Sequence, residues 1–348
     1  MPGRPEMPTP PEVAHIVARG EPYDLGLAHG AALKERLRAF LDDGVARLNH
    51  LLPDPVSVAG LSGTLAAHRA HITRSTPRLA EEIAGLAAGA GLTPDEATLL
   101  QLRREIMGYR RIPTRGDCTT YARPGLLAQT VDLNGDLDDQ IAVLDVGQRG
   151  RRALVLSFAG LLGYLGVNDR GLAVGLNLVL GGRWGPGVPP YLIIRQLLDT
   201  ADSVESAVAV LRSLPFASSR TIVLADAVTT ACVEVVGDEY RVLGARESVH
   251  TNHFLDPDFV PRDELNVFAR NSSLRRLRTA ESALRDLPAD ADPEQHFALL
   301  SQPPIRVPDD GDIRRERTVA AVVLDPVNGA LHLRPGDPLL AGTLTHTL

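Results

Sequence analysis

Cysteine is nearly missing from this sequence: Cys118 and Cys232 are the only two. Two thiols so far apart make neither a disulfide framework nor a four-ligand zinc site. Lysine is rarer still, with Lys34 standing alone, so arginine supplies almost all the positive charge. The net charge is -7, which argues against nucleic acid as a partner, because phosphate binding needs a basic face. Aromatics make up 4% of a chain that is 44% hydrophobic, so Leu, Val and Ala must fill the core. No run of about 18 apolar residues occurs, and no membrane span is expected. The opening MPGRPEMPTPPEVAH lacks the apolar stretch of a signal peptide and reads as a disordered arm over residues 1–14. A reducing, cytoplasmic setting is the default this composition suggests. No cofactor is expected either: GGRWGPG (181–187) lacks the Gly-x-Gly-x-x-Gly spacing and reads as a loop.

What is present changes character near residue 115. Before it, apolar residues recur at three and four spacing through 24–52 and 65–92, with a break predicted at Pro77. Thr93, Pro94 and Glu96 form an N-cap, a first-turn proline and a capping-box acid. The arginines of 103–111 read as a solvated helix face. After residue 115, strand-length runs dominate, among them LLAQTVDL, QIAVLDVG, RALVLSFAG, LAVGLNLVL, RTIVLADA, ACVEVVG and YRVLGA. Helical stretches interrupt them near 190–213 and 262–300. The chain closes on a hairpin with Asn328-Gly329 as its turn. Several strands are apolar throughout, which implies cover on both faces. This order predicts an α+β domain over 15–348, with two stacked antiparallel sheets and helices outside.

Cys232 lies in the alternating TACVEVVG and reads as a small buried hydrophobe. Cys118 sits in TRGDCTT, between a Gly-Asp turn and two threonines, which is poor core sequence. A thiol becomes a nucleophile when a base lies within hydrogen-bond reach. The base can be the residue's own amine, whose pKa is about 7.7–8.0, if the chain is cut before it. Attack of the Cys118 thiol on the Asp117 carbonyl would make a thioester, and water would complete the cut between Asp117 and Cys118.

GDCTTYARPGLLAQTVDLNGD resembles the start of the mature β-chain in the acyl-coenzyme A:6-aminopenicillanic acid acyltransferase family. These are N-terminal-nucleophile (Ntn) hydrolases, also classed as the C45 peptidase family. Cys118-Thr119-Thr120 match the nucleophile motif. Gln129-Thr130-Val131-Asp132 match the strand that follows, with Thr130 in place of the usual Asn. RGEPYDLGLAHGAALKERL is similar to the family's opening helix, HTNHFLDP to its oxyanion segment, and RTVAAVVLDPVNGALHLRPGDP to its terminal hairpin. One departure is Asp117, where the best-known members have Gly. A side chain there can crowd the attacking sulfur or polarise the peptide.

The resemblance implies the four-layer αββα Ntn fold, cut into a mostly helical α-chain (1–117) and a β-chain (118–348) that stay together. It implies Cys118 as nucleophile and Asp132 as the carboxylate that orients the freed amine. Asn252 would be the oxyanion donor. Arg317 would hold Asp132 or a substrate carboxylate, and the Thr120 hydroxyl would help the acyl shift. The implied substrate is a small acyl amide or acyl thioester, acyl-coenzyme A among the candidates, with water or an amine as acceptor.

Other readings stay open on the residues alone. Asp132 can be a strand-end turn residue. As position one of a calcium loop it would put Leu137 sixth and Val143 twelfth, which excludes that use. His250 and His253 flank Asn252 without a third metal ligand nearby. Either could serve Cys118 in an unprocessed cysteine hydrolase, although pocket-lining or structural roles are expected. A binding protein without chemistry on the same fold is the third option.

Overall fold

The computed structural model describes residues 12–108 and 118–348. Strand β1 (Ala14–Arg19) leads into helices α1 (Pro22–Ala32), α2 (Lys34–Asp42), α3 (Leu48–Leu51), α4 (Val58–Ser75), α5 (Pro77–Ala90) and α6 (Pro94–Met107). Beyond Cys118 come β2 (Thr120–Arg123), β3 (Leu126–Leu133), β4 (Ile141–Gln148), β5 (Arg151–Phe158), β6 (Leu165–Asn168) and β7 (Ala173–Leu178). Helices α7 (Pro190–Thr200) and α8 (Val204–Leu211) precede β8 (Arg220–Ala225), β9 (Thr230–Val236), β10 (Glu239–Ala245) and β11 (Ser248–His250). Helices α9 (Val267–Asp286) and α10 (Pro293–Leu300) then lead to β12 (Arg317–Asp325), β13 (Ala330–Pro335) and β14 (Leu344–Thr347).

Among the described residues the strands form two sheets. One has the order β1-β4-β5-β6-β7-β8-β9-β10, the other β11-β2-β3-β12-β13-β14. The sheets face each other, with β2 and β3 against β7 and β8, and β12 and β13 against β6. Helices α1, α7 and α8 cover the outer face of the larger sheet, and α9 and α10 that of the smaller. The α+β sandwich is thus layered αββα. Strands β3 and β12 are buried along their interiors, as continuous apolar runs between two covered faces require. The edge strand β10 is largely exposed.

Local signals hold where the backbone alone decides. Helix α4 stops at Ser75, and Pro77 opens α5, where its missing N–H costs nothing. Thr93 and Glu96 close the capping box at the start of α6. Where distant groups decide, the sequence misleads. The stretch 24–52 is not one helical unit: Gly44, Val45, Ala46 and Arg47 all have φ near +60° (57, 58, 56 and 60°). That strained turn is held from outside. Arg103 Nε donates to the Ala46 carbonyl (2.8 Å), and Arg47 Nη1 to the carbonyls of Gly135 (3.0 Å) and Asp136 (2.5 Å). Strand β1 went unread and pairs in parallel with β4, an exception in two otherwise antiparallel sheets. It begins at Ala14, one residue inside the expected arm, most of which (1–11) lies outside the described residues. The closing hairpin is longer than an Asn-Gly turn alone. Residues 326–329 connect the strands, because Asp325 Oδ1 captures the amides of Val327 and Asn328 (3.0 and 2.9 Å).

Helices α1 and α5 cross at backbone contact. Gly26 and Gly30 face Gly85 and Gly89. A Cβ on Gly26 would lie 1.9 Å from the Glu82 carbonyl oxygen, and one on Gly85 2.0 Å from that of Tyr23. The glycines of the opening helix are therefore packing residues. They fix the helical layer between β1 and α6.

Candidate active site

Cys118 stands two residues before β2, at the end of the smaller sheet where it meets β7 of the larger one. It is 2% exposed and in no disulfide. The Asp132 backbone N–H donates to its Sγ at 3.5 Å, and the Tyr164 hydroxyl lies 3.7 Å from the sulfur. Its carbonyl accepts from Asn177 Nδ2 and Arg276 Nη1, both at 2.9 Å. The next residue is held by Thr130. Thr119 N–H donates to Thr130 Oγ1 (3.1 Å), and Thr130 N–H to the Thr119 carbonyl (2.9 Å). The strand end carrying the thiol is therefore fixed on several sides.

Asp132 is fully buried on β3, opposite Thr318 of β12, whose hydroxyl donates to its Oδ1 at 2.7 Å. Cys118 and Asp132 thus meet through the pairing of neighbouring strands. Asn252 follows β11. One N–H of its amide donates to the Leu178 carbonyl (3.0 Å), and its Oδ1 accepts from Arg276 Nη2 at 2.5 Å. Its backbone N–H donates to Ser273 Oγ at 2.8 Å. Thr120 is buried between Gln129 and His250 of the flanking strands, and its hydroxyl has no partner among the described residues. Asp117, the other half of the expected cleavage site, lies outside the described residues.

Arg317 does not reach Asp132. Its guanidinium donates to Asp136 (3.2 Å) and Asp138 (2.7 Å), with Asp309 at 3.6 Å, and Asp132 is served by Thr318 instead. The turn-rich DLNGDLDD places carboxylates nearer the strand end than Asp132 is. Burial works against the Arg317 charge, yet Asp138 and Asp136 hold its pKa above the ordinary range. The two histidines also look away from the thiol. His250 donates from Nδ1 to the Thr251 carbonyl (2.8 Å), with Nε2 2.9 Å from buried Glu234. His253 Nδ1 is 2.8 Å from Ser273 Oγ, and burial, with His250 and Arg270 nearby, pushes its pKa down to about 4. Neither ring bonds to Cys118, so the cysteine–histidine pairing has no geometry here. Among the described residues no three His, Cys, Asp or Glu side chains gather as metal ligands would.

The residue that sequence reading missed is Arg276. It is 1% exposed, and its planar fork joins the Cys118 carbonyl, Thr119 Oγ1 (3.1 Å) and Asn252 Oδ1. One guanidinium thus ties the thiol strand to the Asn252 loop. The available signal was its place on α9. Ala269, Ser273, Arg276, Leu277, Ala280 and Leu284 form the buried stripe, so Ser273 and Arg276 are polar residues on an inward face.

Tyr164 also walls a cavity of about 40 Å³, with Phe40, Leu100, Met107, Phe158 and Tyr191 as apolar lining and Arg103, Arg104, Asn134 and Glu316 as polar members. Tyr164 stacks on Tyr191 at 5.5 Å and meets Phe158 edge-on at 5.1 Å. Arg103 and Arg104 therefore face inward and do not form the solvated surface expected for 103–111; Arg110 and Arg111 lie outside the described residues.

Residues 117–339 match the family model described as acyl-coenzyme A:6-aminopenicillanic acid acyl-transferase. The chain belongs to this family. It is 27% identical over 267 residues to the acyl-coenzyme A:6-aminopenicillanic-acid-acyltransferase 40 kDa form of Emericella nidulans, covering 72% of each chain. Solved structures similar to it include penicillin V acylase from Agrobacterium tumefaciens (17% identity, TM-score 0.47, 66% of this chain and 86% of that one). Another is a conjugated bile acid hydrolase mutant from Clostridium perfringens (10% identity, TM-score 0.47, 66% and 97%). Membership places this protein in a family of acyltransferases. No helix among the described residues is long and apolar enough to cross a membrane.

Proposed function

We propose that the protein is a self-processing Ntn enzyme that moves an acyl group from a small amide or thioester onto Cys118, and from there to water or an amine. In processing, Sγ attacks the Asp117 carbonyl carbon and the Cys118 nitrogen departs with a proton, leaving a thioester. Water then splits that thioester into the Asp117 carboxylate and the Cys118 thiol, which now sits beside the amine freed by the shift. In turnover that amine takes the thiol proton as Sγ attacks the substrate carbonyl. The same proton goes to the departing amine or thiol, and the acceptor resolves the new thioester.

The observation that carries this reading is the convergence on Cys118 of a buried carboxylate and oriented amide donors. Asp132 is bonded by Thr318 and reaches the sulfur through its own N–H, and we assign its carboxylate to holding the liberated ammonium. Asn252, whose amide also donates to the Leu178 carbonyl, is the donor we assign to the oxyanion. Arg276 holds that amide by its oxygen, so the N–H groups keep their aim. Thr120, with a buried hydroxyl beside the strand end, is the group we assign to the acyl shift.

Acid quenching during turnover of an acyl amide or acyl thioester, followed by peptide mapping, tests the intermediate. The expected result is an acyl mass on Cys118 that hydroxylamine removes. Turnover that persists in Cys118→Ala, with no adduct on the wild-type thiol, would overturn the reading.

A further inference from the structure

The cavity beside Tyr164 contains two hydrogen-bond donors that the described residues leave unused. Arg103 Nη2 and Asn134 Nδ2 are both buried on its wall, and neither has a partner. Asn134 is only 2% exposed. Buried donors in folded proteins are nearly always paired, so two on one wall call for an acceptor from elsewhere.

The two are neighbours. A Cβ on Gly135, the residue after Asn134, would lie 2.4 Å from Arg103 Nη2, so the glycine makes room for the guanidinium at that spot. Arg103 is held in place by its Nε bond to Ala46 and by the Phe40 ring, 5.9 Å from its Cζ. Burial, with Arg104 and Arg47 nearby, lowers its pKa to about 10, which leaves it charged at neutral pH. Arg47 has carboxylates of its own in Asp43 and Asp139. Arg104 and Glu316, on the same wall, are engaged with other groups. No carboxylate of the described residues pairs with Arg103. The remaining walls are apolar and aromatic, and the volume is small.

A ligand that fits is short, has an apolar body, and ends in a negatively charged acceptor. Because Tyr164 both lines this cavity and sets its hydroxyl 3.7 Å from the Cys118 sulfur, we take the body to be the group carried on the thiol. We infer that Arg103 and Asn134 select acyl groups ending in a carboxylate: short dicarboxylic acids joined through one carboxyl group to the amine or thiol they leave. This rests on the acyl-enzyme reading above and adds the substrate class.

N-succinyl- and N-butyryl-4-nitroanilide have equal chain length and differ in the terminal carboxylate. Wild-type protein is expected to favour the succinyl amide in kcat/KM by roughly tenfold to hundredfold, the scale of one charged hydrogen bond. Arg103→Met should remove that preference while leaving the butyryl amide within about twofold, and Asn134→Leu should reduce it less. Equal use of both amides, or equal losses on both in Arg103→Met, overturns the assignment. Calorimetric titration of Cys118→Ala with succinate and with butyrate separates the pocket from the chemistry. Succinate is expected to bind in an Arg103-dependent way and butyrate not to. If that holds while neither anilide is cleaved, the pocket stands and the catalytic reading falls. If succinate fails to bind, the pocket assignment is overturned whatever the anilides do.

Discussion

The α1–α5 crossing and the Cys118 strand end solve the same problem in opposite ways. Both bring backbones very close together inside the protein. At the crossing, Gly26, Gly30, Gly85 and Gly89 do it by having no side chains, and a single methyl group would meet a carbonyl oxygen. At the strand end, Asn177, Asn252, Thr130 and Arg276 do it by matching each donor to an acceptor. The first device fixes position and carries no chemistry. The second also fixes position, but its polar atoms can act on a substrate. Breaking the first should cost stability and spare the rate per folded molecule; breaking the second should do the reverse.

The largest effect is expected at the polar end. Asn252→Ala should lower turnover by roughly 100- to 1000-fold, the cost of one oxyanion donor. Steady-state rates divided by the folded fraction from circular dichroism give this number, and a loss that merely tracks unfolding would break the contrast. Gly26→Ala should destabilise the fold by about 3 kcal/mol, because backbone meets backbone and neither helix can give way cheaply. Denaturant unfolding reads it, and turnover per folded molecule should not change.

A smaller effect sharpens the contrast within the helical layer. His29 is wholly buried on α1 with neither ring nitrogen bonded, and burial, then Arg195, lowers its pKa to about 3. The unfolded chain takes up a proton near pH 6.5 that the folded chain refuses. Its contribution is therefore complete above that pH and is lost as pH falls toward 3. Between pH 6.5 and 5 the wild type should lose about 2 kcal/mol more than His29→Leu, measured by unfolding at each pH. The smallest effect belongs to Arg317. With its partners in the Asp136–Asp138 turn, Arg317→Gln should cost less than about 1 kcal/mol in thermal unfolding and leave turnover intact. A collapse in rate would restore the catalytic role its sequence position suggested.

What was legible follows from how far each feature depends on distant groups. The Pro77 break and the Thr93 cap are local, and they could be read directly. In the β-half, Cys118, Asp132 and Asn252 could be singled out as candidates because they lie on or beside short strands whose order carries the resemblance. Arg276 was hidden because an arginine-rich helix looks solvated until its inward stripe is known. Arg103 was hidden for the same reason, and its partner surface comes from Gly135, far along the chain. The left-handed turn at 44–47 had no local signal beyond Gly44, since hydrogen bonds from Arg103 and to residues 135–136 hold it.

Intact mass of freshly purified protein, beside Cys118→Ala prepared in the same way, tests the central claim most directly. We predict two chains for the wild type, parted between Asp117 and Cys118, and a single uncut chain for the variant. A wild type that stays whole, or a variant cut at the same bond, would contradict the claim that residue 118 frees and then uses its own amine.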